Sequence, residues 1–283
     1  MGAAVTVDAH HHVWDLSVRD QDWITGPALQ PLRRNFTMAD LAPEARAAGV
    51  DRTVLVQTVT VAEETPEFLA LAQDDDLVAG VVGWTDLTAP DVKDALARLG
   101  ELPGGPYLRG IRHQVQGEPD PEWLLRPDVR RGLEAVAAAG LVYDLVVLPH
   151  QLPACVRVAA DLPQLTFVLD HLGKPPIASG DLEPWASRVR SLAALPNTVC
   201  KLSGMVTEAD HRDWSPADLR PYADTVLDAF GPDRLMFGSD WPVCTQAATY
   251  AEVVDTAGAV TRDLGDSERA QIFENTAARV YRL

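Results

Sequence analysis

Cysteine is scarce in this chain. Cys155, Cys200 and Cys244 are odd in number, widely separated and form no CxxC pair, so neither a disulfide framework nor a thiolate zinc site can be read, and a reducing, cytoplasmic compartment is expected. No apolar run approaches the roughly 18 residues of a membrane-spanning helix, and the N-terminus lacks the basic and apolar regions of a secretory signal. Met1-Gly2 with Thr6 matches a short lipidation pattern, but a strand predicted from about Val5 leaves little free tail. Positive charge is short as well: 24 basic against 41 acidic side chains leave a net charge of −17 at neutral pH. Such a surface repels the phosphate backbone and anionic lipid, so neither nucleic acid nor membrane is an expected partner. Low-complexity linkers and shifts of composition are also missing, and the 283 residues are expected to form one domain, 1–283.

What is present is the composition of a packed protein, 47% apolar and 23% charged, arranged as short β-branched runs separated by longer amphipathic stretches. The runs are Val5 to Val7 leading into Asp8 to His12, then Thr53 to Thr58, Val78 to Trp84 and Leu108 to Gln114. Leu141 to Leu148, Thr166 to His171, Thr198 to Ser203 and Leu235 to Asp240 complete the set. Helical stretches lie between them, with starts marked at Thr37 and Asp128 and stops at Gly49 and Gly140. A last helical region over about Ala251 to Ala278 should break near Gly265. Eight β/α units in this length favour an α/β fold of the (β/α)8 TIM-barrel type over an open doubly wound sheet, which should show a GxGxxG loop after its first strand; none occurs there. Arg19 to Arg34, long, polar and Pro-containing, reads as a loop over the barrel mouth. The Trp-rich segment Trp14 to Trp23 reads equally as a lid or a subunit contact, and no oligomeric state is specified.

Such barrels place their sites at the C-terminal ends of the strands. There the chain offers His10-His11-His12, Arg112-His113, Asp170-His171, Lys201 and Asp240. Strand alternation sends His10 and His12 to one face and His11 to the other. Two imidazoles on one face suit a divalent metal, and His171 and Asp240 could complete its shell. Asp8 shares the pair's parity and could act as an acceptor that orients a histidine. A tag remnant would be longer and flanked by linker residues, whereas this triplet continues an apolar strand into Val13-Trp14. Taken singly, His171 could instead be a satisfied core histidine, and Lys201 a structural ion-pair partner, each the lesser reading. Arg112 and His113 have opposite parity, so only one of them faces the interior. Trp14 and Trp241 could flank a ring or simply pack the rim.

In these residues the sequence resembles the amidohydrolase superfamily, with its His-x-His on the first barrel strand and Asp on the eighth. Within it the chain is similar to the amidohydrolase-related branch of L-fuconolactonase, L-rhamnonolactonase, sulfomuconolactonase and 2-pyrone-4,6-dicarboxylate lactonase. The matching segments are DAHHHVWD from Asp8, RGIRHQVQGEPD from Arg109, YDLVVLPHQL from Tyr143, LDHLGKP from Leu169, CKLSGM from Cys200 and FGSDWPV from Phe237. The resemblance implies that His10, His12, His171 and Asp240 form the reactive cluster, with Arg112 or His113 and Lys201 toward the substrate. No bridging Lys follows the fourth run, and His150 lies past the expected ligand position, so one divalent metal (zinc or manganese) or none is implied, rather than two. Glu118 ranks lower as a ligand. The expected activity is hydrolysis of a sugar-derived lactone, with Asp240 as general base on water and the metal or His171 holding the oxyanion. Arg112 would favour a ring carboxylate on the substrate. The rivals are a metal-dependent decarboxylase of the same superfamily and a non-catalytic barrel that binds sugar acids.

Overall fold

The computed structural model describes residues 6–283. The strand start expected near Val5 and the Met1-Gly2 pattern lie outside the described residues. Eight parallel strands pair in chain order into one sheet: β1 (Val7–His11), β2 (Arg52–Val56), β3 (Val78–Gly83), β4 (Leu108–His113), β5 (Val142–Leu145), β6 (Phe167–Leu169), β7 (Thr198–Leu202) and β8 (Leu235–Phe237). The helices are α1 (Met38–Ala47), α2 (Glu64–Asp74), α3 (Val92–Glu101), α4 (Pro127–Ala138), α5 (Leu152–Asp161), α6 (Trp185–Ala193), α7 (Met205–Glu208), α8 (Pro216–Phe230), α9 (Tyr250–Val260), α10 (Asp266–Ala270) and α11 (Thr276–Tyr281). The ring closes beyond β8, where the Asp240 amide donates to the His10 carbonyl at 2.8 Å and the His12 amide donates to the Trp241 carbonyl at 2.7 Å. The fold is the expected (β/α)8 barrel. Among the described residues no helix is long and apolar enough to cross a membrane.

Thr37 starts α1, its amide donating to the Asp40 carboxylate at 2.8 Å, so the first turn has a partner for an otherwise orphaned N–H. Helix α4 begins at Pro127, two residues before the Val129 that a cap at Asp128 would give; the Asp128 carboxylate pairs with Arg126 instead. The last helical region does break at Gly265, between α9 and α10.

Both faces of each strand are buried, which is why the runs read as nearly continuous apolar sequence. The outer face packs Leu55, Ile111, Tyr143, Phe167 and Phe237 under the helices. The inner face packs Val54, Val56, Val82, Val142, Val168, Val199 and Met236, and Ala277, Val280 and Tyr281 close it from below. Each such aliphatic side chain stabilises by about 1.5–3 kcal/mol when fully buried. One pleat further along, two residues C-terminal to Val142, Val168 and Val199, stand Asp144, Asp170 and Lys201, all fully buried. The barrel interior therefore switches from hydrocarbon to charge within a single strand period.

Strand β1 breaks its own alternation. Asp8 pairs with Thr53 and His11 with Leu55, three steps against two, so one extra residue is accommodated as a bulge. Val7 and Ala9 face inward below it, and His10 faces inward above it. Asp8 consequently faces away from the histidine pair, correcting the parity expectation. Its carboxylate accepts from the backbone amides of His10 (3.1 Å) and Ser239 (2.8 Å) and from the Tyr250 hydroxyl (3.1 Å), so it holds the backbone rather than an imidazole.

Candidate active site

Strands β6 and β8 stop at Leu169 and Phe237, short of the expected ends, so His171 and Asp240 stand on turns beyond the sheet. Both have left-handed backbone, with φ of 52° and 58°. A non-glycine residue there costs roughly 1–2 kcal/mol, and such strain persists where surrounding structure over-determines it. Two glycines make the room. A β-carbon on Gly238 would lie 2.7 Å from the His10 β-carbon, and one on Gly204 would lie 2.8 Å from the His171 ring.

The result is a cluster around one carboxylate oxygen. Asp240 Oδ1 lies 3.6 Å from His12 Nε2, 3.8 Å from His10 Nε2 and 3.8 Å from His171 Nε2. The two β1 imidazoles approach each other at 3.1 Å between Nε2 atoms. His12 Nδ1 donates to the Val56 carbonyl at 2.7 Å, which leaves the Nε2 lone pair pointing into the cluster. His171 Nδ1 meets the Ser203 hydroxyl at 2.8 Å, leaving its Nε2 toward Asp240. Burial pulls the His171 pKa down to about 4 and lowers that of His12, so both are neutral at pH 7. Burial pushes the Asp240 carboxyl up, but His171 and His12 outweigh it and hold the pKa below the ordinary value.

Beneath the cluster runs a charged network. Lys201 Nζ lies 3.0 Å from His10 Nδ1, 2.6 Å from Asp144 and 3.0 Å from Asp170. Arg112 donates to Asp170 at 2.9 Å and to the Gln57 side chain at 2.9 Å, and also to the Gln57 carbonyl. Two cations thus face two carboxylates, the condition under which charge is tolerated away from water. Burial works to raise Asp170, but Lys201, His10 and Arg112 hold it well below the usual carboxylate range; Asp144 is pushed up to about 6 by burial.

Above the cluster opens a cavity of about 350 Å³ whose lining includes His12, Arg112, His171 and Asp240. The other expected substrate contacts stand elsewhere. Lys201 is fully buried below the cavity floor, its ammonium held by the two carboxylates. Of the Arg112-His113 pair, Arg112 faces the interior. His113 stacks on Trp123 at 4.3 Å between centroids and bonds Glu118 at 2.7 Å, which accounts for Glu118 as well. Trp14 donates to the Arg34 carbonyl at 2.7 Å and lines a separate apolar pocket, while Trp241 packs edge-on against Phe36. His150 is exposed. The aromatic wall is Trp23, which the 19–34 loop carries over the barrel mouth together with Ala28 and Leu29.

Three lining residues with ionisable side chains escaped the sequence reading: Lys174, Glu208 and His211. Lys174 had a signal, since it stands three residues beyond His171 in the quoted LDHLGKP segment. Glu208 and His211, on and just after α7, had none.

A family profile described as Amidohydrolase matches residues 7–283. The chain is 40% identical over 291 residues to an L-fucono-1,5-lactonase of Burkholderia multivorans, covering 99% of this chain and 97% of that one. It is 39% identical to an L-fucono-1,5-lactonase of Burkholderia ambifaria, over 98% and 95% of the two chains. A solved amidohydrolase from Burkholderia multivorans with bound Zn superposes at a TM-score of 0.93 and 40% identity, over 99% of this chain and 100% of that one. Matched from its first barrel strand to its last residue, with the paired imidazoles of β1 meeting the carboxylate beyond β8, the chain belongs to the amidohydrolase family.

Proposed function

We propose that this chain, as one domain over residues 1–283, is a hydrolase that opens a sugar-derived lactone. The observation that carries the reading is the cluster itself, one carboxylate oxygen within 3.6–3.8 Å of three imidazole nitrogens at the floor of the cavity. The lactonase relatives support the substrate class. Asp240, an anion at neutral pH, takes the proton of the attacking water, and the same carboxylic acid returns it to the ring oxygen as the tetrahedral intermediate collapses. His171, with the Ser203 hydroxyl donating to its Nδ1, presents Nε2–H to the developing oxyanion. Arg112 stays with Asp170 and Gln57 and sets the field of the floor.

The donor set fits a divalent metal. His10 Nε2, His12 Nε2 and Asp240 Oδ1 lie within reach of one ion, and the Val56 carbonyl fixes the His12 tautomer that coordination requires. His10, His12 and Asp240 would hold zinc or manganese, with His171 beside them, and the chemistry such an ion supplies is Lewis-acid polarisation of an oxygen. Three buried free thiols support residence in a reducing compartment.

The test is a proton-release screen of aldonolactones and carboxylated lactones, with and without chelator and with metal analysis of the purified protein. Opening of an aldonolactone supports the reading. Release of carbon dioxide from an aromatic or enol acid, with no lactone opened, assigns a decarboxylase instead, and tight binding without turnover assigns a binding barrel.

A further inference from the structure

Most polar groups of the cavity are already committed to the protein. Arg112 is held by Gln57 and Asp170. The Gln114 amide donates to the Thr58 carbonyl, the Gln116 amide donates to Gln114, and the Thr58 hydroxyl donates to Glu64. Two charged groups are different. Lys174 and Glu208 line the same cavity and face each other at 3.6 Å, longer than a hydrogen bond. Among the described residues neither side chain makes a hydrogen bond to the protein, and their side chains are 23% and 25% exposed, well below those of a freely solvated pair.

The backbone sets this spacing. His171, Leu172, Gly173 and Lys174 all have positive φ, of 52°, 55°, 71° and 53°. Four successive left-handed residues form one turn closed by the Lys174 amide donating to the His171 carbonyl at 2.7 Å, and both side chains line the cavity. Trp185 locks the turn from outside by donating to the Leu172 carbonyl at 2.7 Å. The segment that aims His171 at Asp240 therefore also delivers an ammonium to the substrate space. Glu208, the last residue of α7, comes from the connection after the neighbouring strand β7.

We propose that Lys174 and Glu208 are a specificity-determining grip for two adjacent hydroxyls of a neutral sugar lactone, and that Glu208 turns away lactones bearing a ring carboxylate. The inference rests on the lactonase reading above. The ammonium donates to one hydroxyl oxygen, and the carboxylate accepts the proton of the next. A ligand so held completes hydrogen bonding that the protein leaves open, whereas an anionic ring would bring a second carboxylate against Glu208, with Arg112 already held by Asp170 and Gln57. Burial pushes the Glu208 pKa up, so its anion gains from each hydroxyl donor a ligand brings.

The test is steady-state kinetics of wild type, Glu208→Gln and Lys174→Met on a neutral aldonolactone, on its analogues lacking one or other of two adjacent hydroxyls, and on a carboxylated lactone, with thermal melts of each protein. In the wild type, loss of either hydroxyl should lower kcat/KM about tenfold or more. Glu208→Gln should raise KM for the hydroxylated lactone by a similar factor with kcat changed far less, lose its preference over one deoxy analogue, and gain on the carboxylated lactone. Lys174→Met should lose preference over the other. Should Lys174→Met fail to fold, the near-isosteric Glu208→Gln and the wild-type deoxy comparison carry the test. Equal turnover of hydroxylated and deoxy lactones by the wild type, or unchanged discrimination in a folded Glu208→Gln protein, overturns the grip while leaving the lactonase reading standing. A wild type that opens no lactone removes both.

Discussion

Lys201 Nζ lies 3.0 Å from His10 Nδ1, on the edge of the imidazole turned away from Asp240. The ammonium also neutralises Asp144 and Asp170, fully buried like itself. Removing one partner of such a network leaves uncompensated charge away from water, which costs about 3–5 kcal/mol. Lys201→Met should therefore lower stability to urea by this order. Wild-type stability in the variant would mean that the network is not charged as drawn.

Asp240→Asn keeps the shape of the side chain and removes its basicity. The expected result is a fall in kcat of about 10²–10⁴, the usual contribution of general acid–base catalysis. The thermal midpoint should change little, because no buried partner loses an ion pair of fixed charge: the three facing imidazoles are neutral. Turnover close to wild type in a folded variant would remove Asp240 as the base.

Gly204→Ala tests how His171 is held. The position has φ of 65°, and the added methyl would lie 2.8 Å from the His171 ring. Left-handed strain and overpacking together should destabilise by about 2–4 kcal/mol. Activity should fall with it, since the ring must move from the position it holds against Asp240. Equilibrium unfolding paired with lactone kinetics reads both effects, and an unaltered kcat would show that His171 tolerates displacement.

His11 lies outside the reactive cluster, bonded to the Thr53 hydroxyl at 2.9 Å, and burial pulls its pKa down to about 3. The folded chain binds this proton less readily than the unfolded one, whose histidine titrates near 6.5. Stability is therefore unaffected above pH 6.5 and is lost as pH falls toward about 3, by about 1.4 kcal/mol per unit. Asp8, pushed up to about 6 by burial, works in the opposite direction over an overlapping range. The measurement is therefore the difference in unfolding free energy between wild type and His11→Gln from pH 7 to pH 4. A difference that does not change with pH would mean that His11 takes up its proton alike in the folded and unfolded chains.

The order of elements was legible because each strand is buried on both faces and each helix on one, so composition and period mark them directly. The family residues at the strand ends were legible for a related reason: at the mouth of a barrel, polar side chains interrupt runs that packing otherwise keeps apolar. What alternation could not supply was direction. The β1 bulge turns Asp8 outward while keeping His10 inward, and a bulge depends on how Asp8, Ser239 and Tyr250 meet across more than 200 residues of chain. The left-handed turn from His171 to Lys174 and the left-handed Asp240 lie past the strands, where period-two reasoning no longer applies. Lys201 shows the division most plainly. By itself the sequence determined that a lysine stands near the end of the seventh strand; only the closed barrel decided that the ammonium would sit under His10 between two carboxylates instead of lining the cavity, because a buried cation goes where opposite charge is nearest.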